Sequence, residues 1–209
     1  MTRFLLKLIP LLAAVFTAFS LVARALGTMQ PPHPALAGFA ESCTDKPPPC
    51  WYGIVPGETN AEDASRIVQQ YFVKRSVMEG FPLAFDSAEI DGMTFIGFNY
   101  DPTLIVKHII LYFDEKVCLG DILAVIGMPD KVHILDALNK ARLVYAYPQG
   151  MIGIDTGRGI NNLNPRKRGS LYLTLSVEST STAGGVFAWA GFQREAYYCA
   201  LDHTLAFCE

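Results

Sequence analysis

Cys43-Thr44-Asp45-Lys46-Pro47-Pro48-Pro49-Cys50-Trp51-Tyr52-Gly53-Ile54-Val55-Pro56-Gly57-Glu58-Thr59 is the stretch around which the rest of this chain is organised. Two cysteines flank six residues, three of them consecutive prolines. An aromatic pair follows, and Pro56-Gly57 turns the chain toward a helix signal. This reads as the stapled entrance to a folded domain. Before it lie an apolar leader and a Pro-rich segment; after it, helix and strand patterns run to the C-terminus.

The helix signal is Thr59-Asn60-Ala61-Glu62, which has capping-box spacing with Thr59 as N-cap. It predicts a helix from about Asn60 to Val73. Ala61, Ala64, Ile67, Val68, Tyr71 and Phe72 form its apolar stripe, which reads as core. Turns follow at Gly80-Phe81-Pro82 and Asp91-Gly92. Met93–Tyr100 and Ile105–Phe113 read as strands, joined by an Asp101-Pro102 turn. The pattern then restarts. Val117–Gly127 is a short amphipathic helix, with Gly127 as its left-handed stop and Pro129 beyond. Lys131–Leu135 is a strand, and Leu143–Tyr147 with Met151–Ile154 reads as a hairpin. Residues 155–169 read as a basic loop, and Leu171–Val177 as an alternating strand.

The expected fold class is therefore α+β: two short helices on an antiparallel sheet, built as a tandem of units 54–113 and 114–178, behind an N-terminal hydrophobic helix. The expected divisions are a leader at 1–27, a Pro-rich linker at 28–42 and a domain at 43–209, whose tail, 186–209, carries Trp189, Phe192, Tyr197 and Tyr198.

The bulk numbers agree. Residues beyond the linker, roughly 165, suffice for one domain with a substantial core. Apolar residues make up 51% of the chain and charged ones 18%, which excludes general disorder. A formal net charge of −3 argues against a nucleic-acid surface.

In the leader, Arg3 and Lys7 precede an apolar run from Leu8 to Ala23, closed by Arg24. Ala25-Leu26-Gly27 offers a small-residue cleavage site. The run is long for a secretory core and short for a bilayer span. Arg24 beside the site disfavours cleavage, so a retained anchor with its N-terminus inside is expected over a cleaved signal. The domain then lies outside the cell membrane; the alternative is a secreted protein beginning at Thr28.

Cysteine spacing fits an oxidising compartment. Cys43 with Cys50, and Cys199 with Cys208, form two close pairs that read as disulfides, although pairing between the two ends is left open. Each short loop is worth at most about 2–3 kcal/mol. Cys118 is left over and reads as a small buried hydrophobe.

No catalytic constellation stands out. Cys118, His108 and Asp114 share one stretch, but no flanking residue activates the thiol. The histidines at 33, 108, 133 and 203 lack paired spacing for a metal, and no cofactor is implied. His33 reads as a solvated linker residue. Two binding readings are carried forward. Trp51 and Tyr52 either pack on the domain or form a partner-binding edge. Arg158, Arg166, Lys167 and Arg168 either keep a loop in solvent or bind an anion.

Gly127-Met128-Pro129 resembles the L-G-x-P helix exit of the outer-membrane assembly lipoproteins related to the β-lactamase-inhibitor protein fold. Leu111-Tyr112-Phe113-Asp114-Glu115-Lys116-Val117 looks like their strand ending. The resemblance covers about residues 54–178. It implies helices on one face of an antiparallel sheet, and protein binding rather than chemistry. The chain departs from that family in lacking a lipobox and in its proline-cysteine entrance; its first unit also lacks the Gly-x-Pro exit. The reading is an extracytoplasmic protein-binding or scaffold module, not an enzyme, anchored through its N-terminal helix beside a protein partner in the cell envelope. The alternative is a secreted inhibitor or ligand-binding module.

Overall fold

The computed structural model describes residues 12–22, 33–40, 43–72, 74–78, 81–86, 90–135, 140–158, 164–166, 171–177, 185–192 and 200–201. The chain divides into two compact units, Met1–Pro32 and His33–Glu209. In the first, residues 12–22 form helix α1, and every one of them is exposed, including Phe16 and Phe19. Among the described residues no helix is long and apolar enough to cross a membrane.

The second unit starts at His33, ten residues before the expected domain boundary. Pro34–Phe39 forms a 3-10 helix, and the His33 Nδ1 accepts the Ala35 N–H at 3.3 Å. Ala35 and Leu36 are buried, so the C-terminal half of the expected linker is drawn into the core by its apolar pair. His33 is half-buried rather than solvated, and its imidazole lies against Gly92.

Cys43 and Cys50 form a disulfide with a Cα–Cα distance of 5.7 Å. Cys199 and Cys208 lie outside the described residues. After Cys50, Trp51 and Ile54 close a two-residue turn through reciprocal backbone hydrogen bonds of 3.0 and 2.9 Å. Tyr52 and Gly53 occupy its centre, both at positive φ (46° and 78°). That is the combination a tight hairpin turn demands.

Helix α2 spans Ala61–Gln69. Its N-cap is Asn60 rather than Thr59: Asn60 Oδ1 accepts the Asp63 N–H at 2.8 Å. Thr59 Oγ1 is turned back to the Val55 N–H at 2.9 Å. The helix stops short of the expected Val73. Tyr71 and Phe72 both donate to the Val68 carbonyl, which lets Phe72 fall onto the Trp51 indole at 5.9 Å. Ring packing overrides helical continuation here. Helix α3, Leu119–Ile126, starts behind Cys118, whose N–H donates to Asp121 at 2.9 Å, and stops at Gly127 with φ 98°. The glycine stop is at the expected position and at positive φ, but with ψ −168° it is extended and not the left-handed helical cap expected.

The strands are β1 (Lys74–Met78), β2 (Phe81–Asp86), β3 (Met93–Tyr100), β4 (Val106–Phe113), β5 (Lys131–Leu135), β6 (Lys140–Tyr147), β7 (Gly150–Arg158), β8 (Tyr172–Ser176) and β9 (Gly185–Ala188). They form one antiparallel sheet in the order β1-β2-β3-β4-β8-β7-β6-β5-β9. A helix followed by a four-strand meander thus occurs twice, and the last strands of the two meanders, β4 and β8, pair at the centre. The mixed α+β class is as expected from the sequence. Strands β1, β2 and β9 are additions to it. Pro82 lies in β2, opposite an irregularity between Ser76 and Met78, where a missing N–H is tolerated.

Alternation sorts the sheet into two faces. Ile96, Phe98, Ile109, Leu111, Leu173, Leu175, Ile152, Ile154, Leu143, Val132 and Ile134 are buried in the core. The same cluster takes in Trp51, Phe72, Ala64 and Val68 of the first helical region and Leu119, Ile122 and Leu123 of α3. Each fully buried large side chain is worth about 1.5–3 kcal/mol of transfer free energy. The helices therefore occupy one face of the sheet; on the other, Asp155, Ser176, Val144 and Met151 are also buried, and Phe95, Ile110, Tyr112, Tyr172 and His133 are partly exposed, so that face is open only in part.

Candidate functional site: the open face of the sheet

The open face carries one continuous register row. His133 of β5 opposes Arg142 of β6, which opposes Asp155 of β7. Asp155 opposes Tyr172 of β8, Tyr172 opposes Tyr112 of β4, and Tyr112 opposes Phe95 of β3. At the usual strand spacing these six residues span about 24 Å. Tyr112 and Tyr172 stack at 5.3 Å, and Phe95 sits 5.6 Å from Tyr112. All three rings are half-buried. The neighbouring row holds Gly97, Ile110, Thr174, Gly153, Val144 and Lys131.

The row is polar on β5, β6 and β7 and aromatic on β8, β4 and β3; beyond Phe95 the register continues to Asp86 of β2 and Lys74 of β1. Arg142 Nε donates to both Asp155 carboxylate oxygens at 3.0 Å, and Nη2 lies 2.9 Å from Oδ2. Asp155 is completely buried, and the Arg142 side chain is 15% exposed. Gly153 makes room for this pair: the Arg142 Cδ lies 3.2 Å from where a Cβ would stand. Burial alone would lower the Arg142 pKa, but the Asp155 carboxylate outweighs it and holds the guanidinium charged. Burial, then the Asp155 charge, pushes the Tyr172 phenol up, so its hydroxyl stays protonated. His133 is shifted down, first by burial and then by the positive charges of Arg142 and Lys131.

The sequence-derived candidates fall elsewhere. Trp51 is fully buried and Tyr52 is 6% exposed, so neither forms a partner-binding edge; of the two readings, packing is the one the structure supports. Their rings are spent on Phe72 and Tyr71, the latter stacked on Tyr52 at 4.0 Å. The basic loop is shorter than expected, because β7 runs on to Arg158, whose backbone pairs with Lys140. Arg166 is exposed in a turn pinned to α3, where the Gly120 N–H donates to the Pro165 carbonyl at 2.7 Å. Lys167 and Arg168 lie outside the described residues. A sheet face presented to a partner is among the expectations from the sequence, but nothing in the sequence singles out these six residues.

Two shallow hollows lie elsewhere. One, of 280 Å³, is lined by Ile90, Asp91, Gly92, Met93, Thr94, Asp114 and Lys116, and its Lys116 pairs with Asp91. The other, of 360 Å³, contains Lys46, Glu58, Asp63 and Arg66; Lys46 donates to the Gly53 carbonyl at 2.8 Å and Arg66 pairs with Asp63. Cys118 caps α3, and burial first, with the Asp121 side chain next, raises its thiol pKa, the opposite of what a nucleophilic thiolate requires. Among the described residues no three His, Cys, Asp or Glu side chains converge to hold a metal ion.

No protein-family model matches this chain. No curated protein matches it either. Among solved structures it is similar to a DUF4309 family protein (YjgB) from Bacillus subtilis, with a TM-score of 0.46 and 10% sequence identity, covering 69% of this chain and 96% of that one. The comparisons do not show the resemblance to the assembly lipoproteins.

Proposed function

We propose that this chain is a membrane-anchored, extracytoplasmic protein-binding module that presents the open face of its sheet to a partner in the cell envelope. The observation that carries this reading is the row Phe95-Tyr112-Tyr172-Asp155-Arg142-His133 on the face away from the helices. Tyrosine, phenylalanine and arginine are the residue types enriched in protein interfaces. The rings and the buried ion pair fix the row before any partner arrives, which limits the ordering cost of binding. The exposed apolar residues of α1 support an N-terminal segment that seeks lipid. The Cys43–Cys50 disulfide supports an oxidising compartment. No reaction is assigned.

A secreted form is the second reading, favoured by one observation. The folded unit begins at His33, beyond the Ala25-Leu26-Gly27 site, so cleavage there leaves the unit whole.

One experiment addresses both. A photo-crosslinking amino acid is placed at Tyr112, and separately at the exposed Ala124 on α3, in the cells that make the protein. The expected result is a discrete protein adduct from position 112 and none from 124, in the membrane fraction and at full-length mass. Adducts at 124 alone, or at neither position, overturn the open-face reading. A soluble protein beginning at Thr28 overturns the anchor and establishes the secreted form.

A further inference from the structure

No further inference is drawn: the strongest candidate, the turn at 101–105 between β3 and β4, which holds Leu104 at a φ of 65° and leaves it 63% exposed, carries nothing because the structure does not show what covers that side chain.

Discussion

Replacing Trp51 with alanine lowers the unfolding free energy by about 3–5 kcal/mol, as expected for removing a large aromatic side chain from a closed core. Trp51 is completely buried, lies 4.7 Å edge-to-face from Tyr52 and stacks on Phe72. Its Nε1 lies so close to Gly38 that a Cβ there would run into the indole, so the 3-10 helix and the turn share this ring. A domain of this size has only about 5–15 kcal/mol of stability, so the variant unfolds at much lower urea. Trp51→Phe is the informative partner. Among the described residues the buried Nε1 has no hydrogen-bond acceptor, and phenylalanine removes that donor, worth about 1–3 kcal/mol of desolvation. The expected order of urea midpoints is wild type, then Trp51→Phe, then Trp51→Ala well below. A Trp51→Ala midpoint equal to wild type would mean that the ring lies on the surface and is not shared by these elements.

The second large effect is at Asp155. Truncating it to alanine leaves the Arg142 guanidinium mostly buried without its carboxylate, which costs about 3–5 kcal/mol. The pair is not thereby a large net stabiliser, because desolvation offsets most of its attraction. The double variant Arg142→Met with Asp155→Leu is accordingly expected to unfold within about 1 kcal/mol of wild type, on the precedent that apolar replacement of buried ion pairs is often neutral. A thermodynamic cycle through the two single variants measures the coupling. If Asp155→Ala costs no more than a surface substitution, the carboxylate is not buried and the polar end of the row is not pre-set.

Much of the fold is legible in the sequence, and the gaps have physical causes. Met93–Tyr100 and Lys131–Leu135 coincide with the expected strands because β-branched and aromatic residues fill them between clear turns. The pair β1 and β2 went unread because Pro82 and an irregular register interrupt their alternation. Strand β9 has only four residues and follows a Ser/Thr/Gly-rich stretch. Trp51 and Tyr52 were open to two readings because nothing in the sequence marks Tyr52 for positive φ. That conformation turns the chain back and folds both rings inward.

The candidate site was less legible, though one part of it lay within reach. The two-residue turn Pro148-Gln149 sets Tyr147 opposite Gly150, and counting back from it brings Arg142 opposite Asp155. That deduction requires β7 to continue past Ile154, and the polar residues Asp155-Thr156-Gly157-Arg158 read instead as the start of a loop. The Tyr112–Tyr172 stack depends on pairing β4 with β8, strands separated by a whole meander, and no local pattern specifies that.

The account rests on the sheet having one face closed by helices and one face open. Hydroxyl-radical footprinting of the folded chain, read residue by residue by mass spectrometry, tests this most directly. The expected result is rapid oxidation of Phe95, Tyr112 and Tyr172, with Tyr52, Tyr145 and Phe98 protected, and Trp51 protected despite its intrinsically reactive indole. Oxidation of Trp51 and Tyr52 at the rate of Tyr112, or protection of Tyr112 and Tyr172 equal to that of Tyr145, would contradict the account.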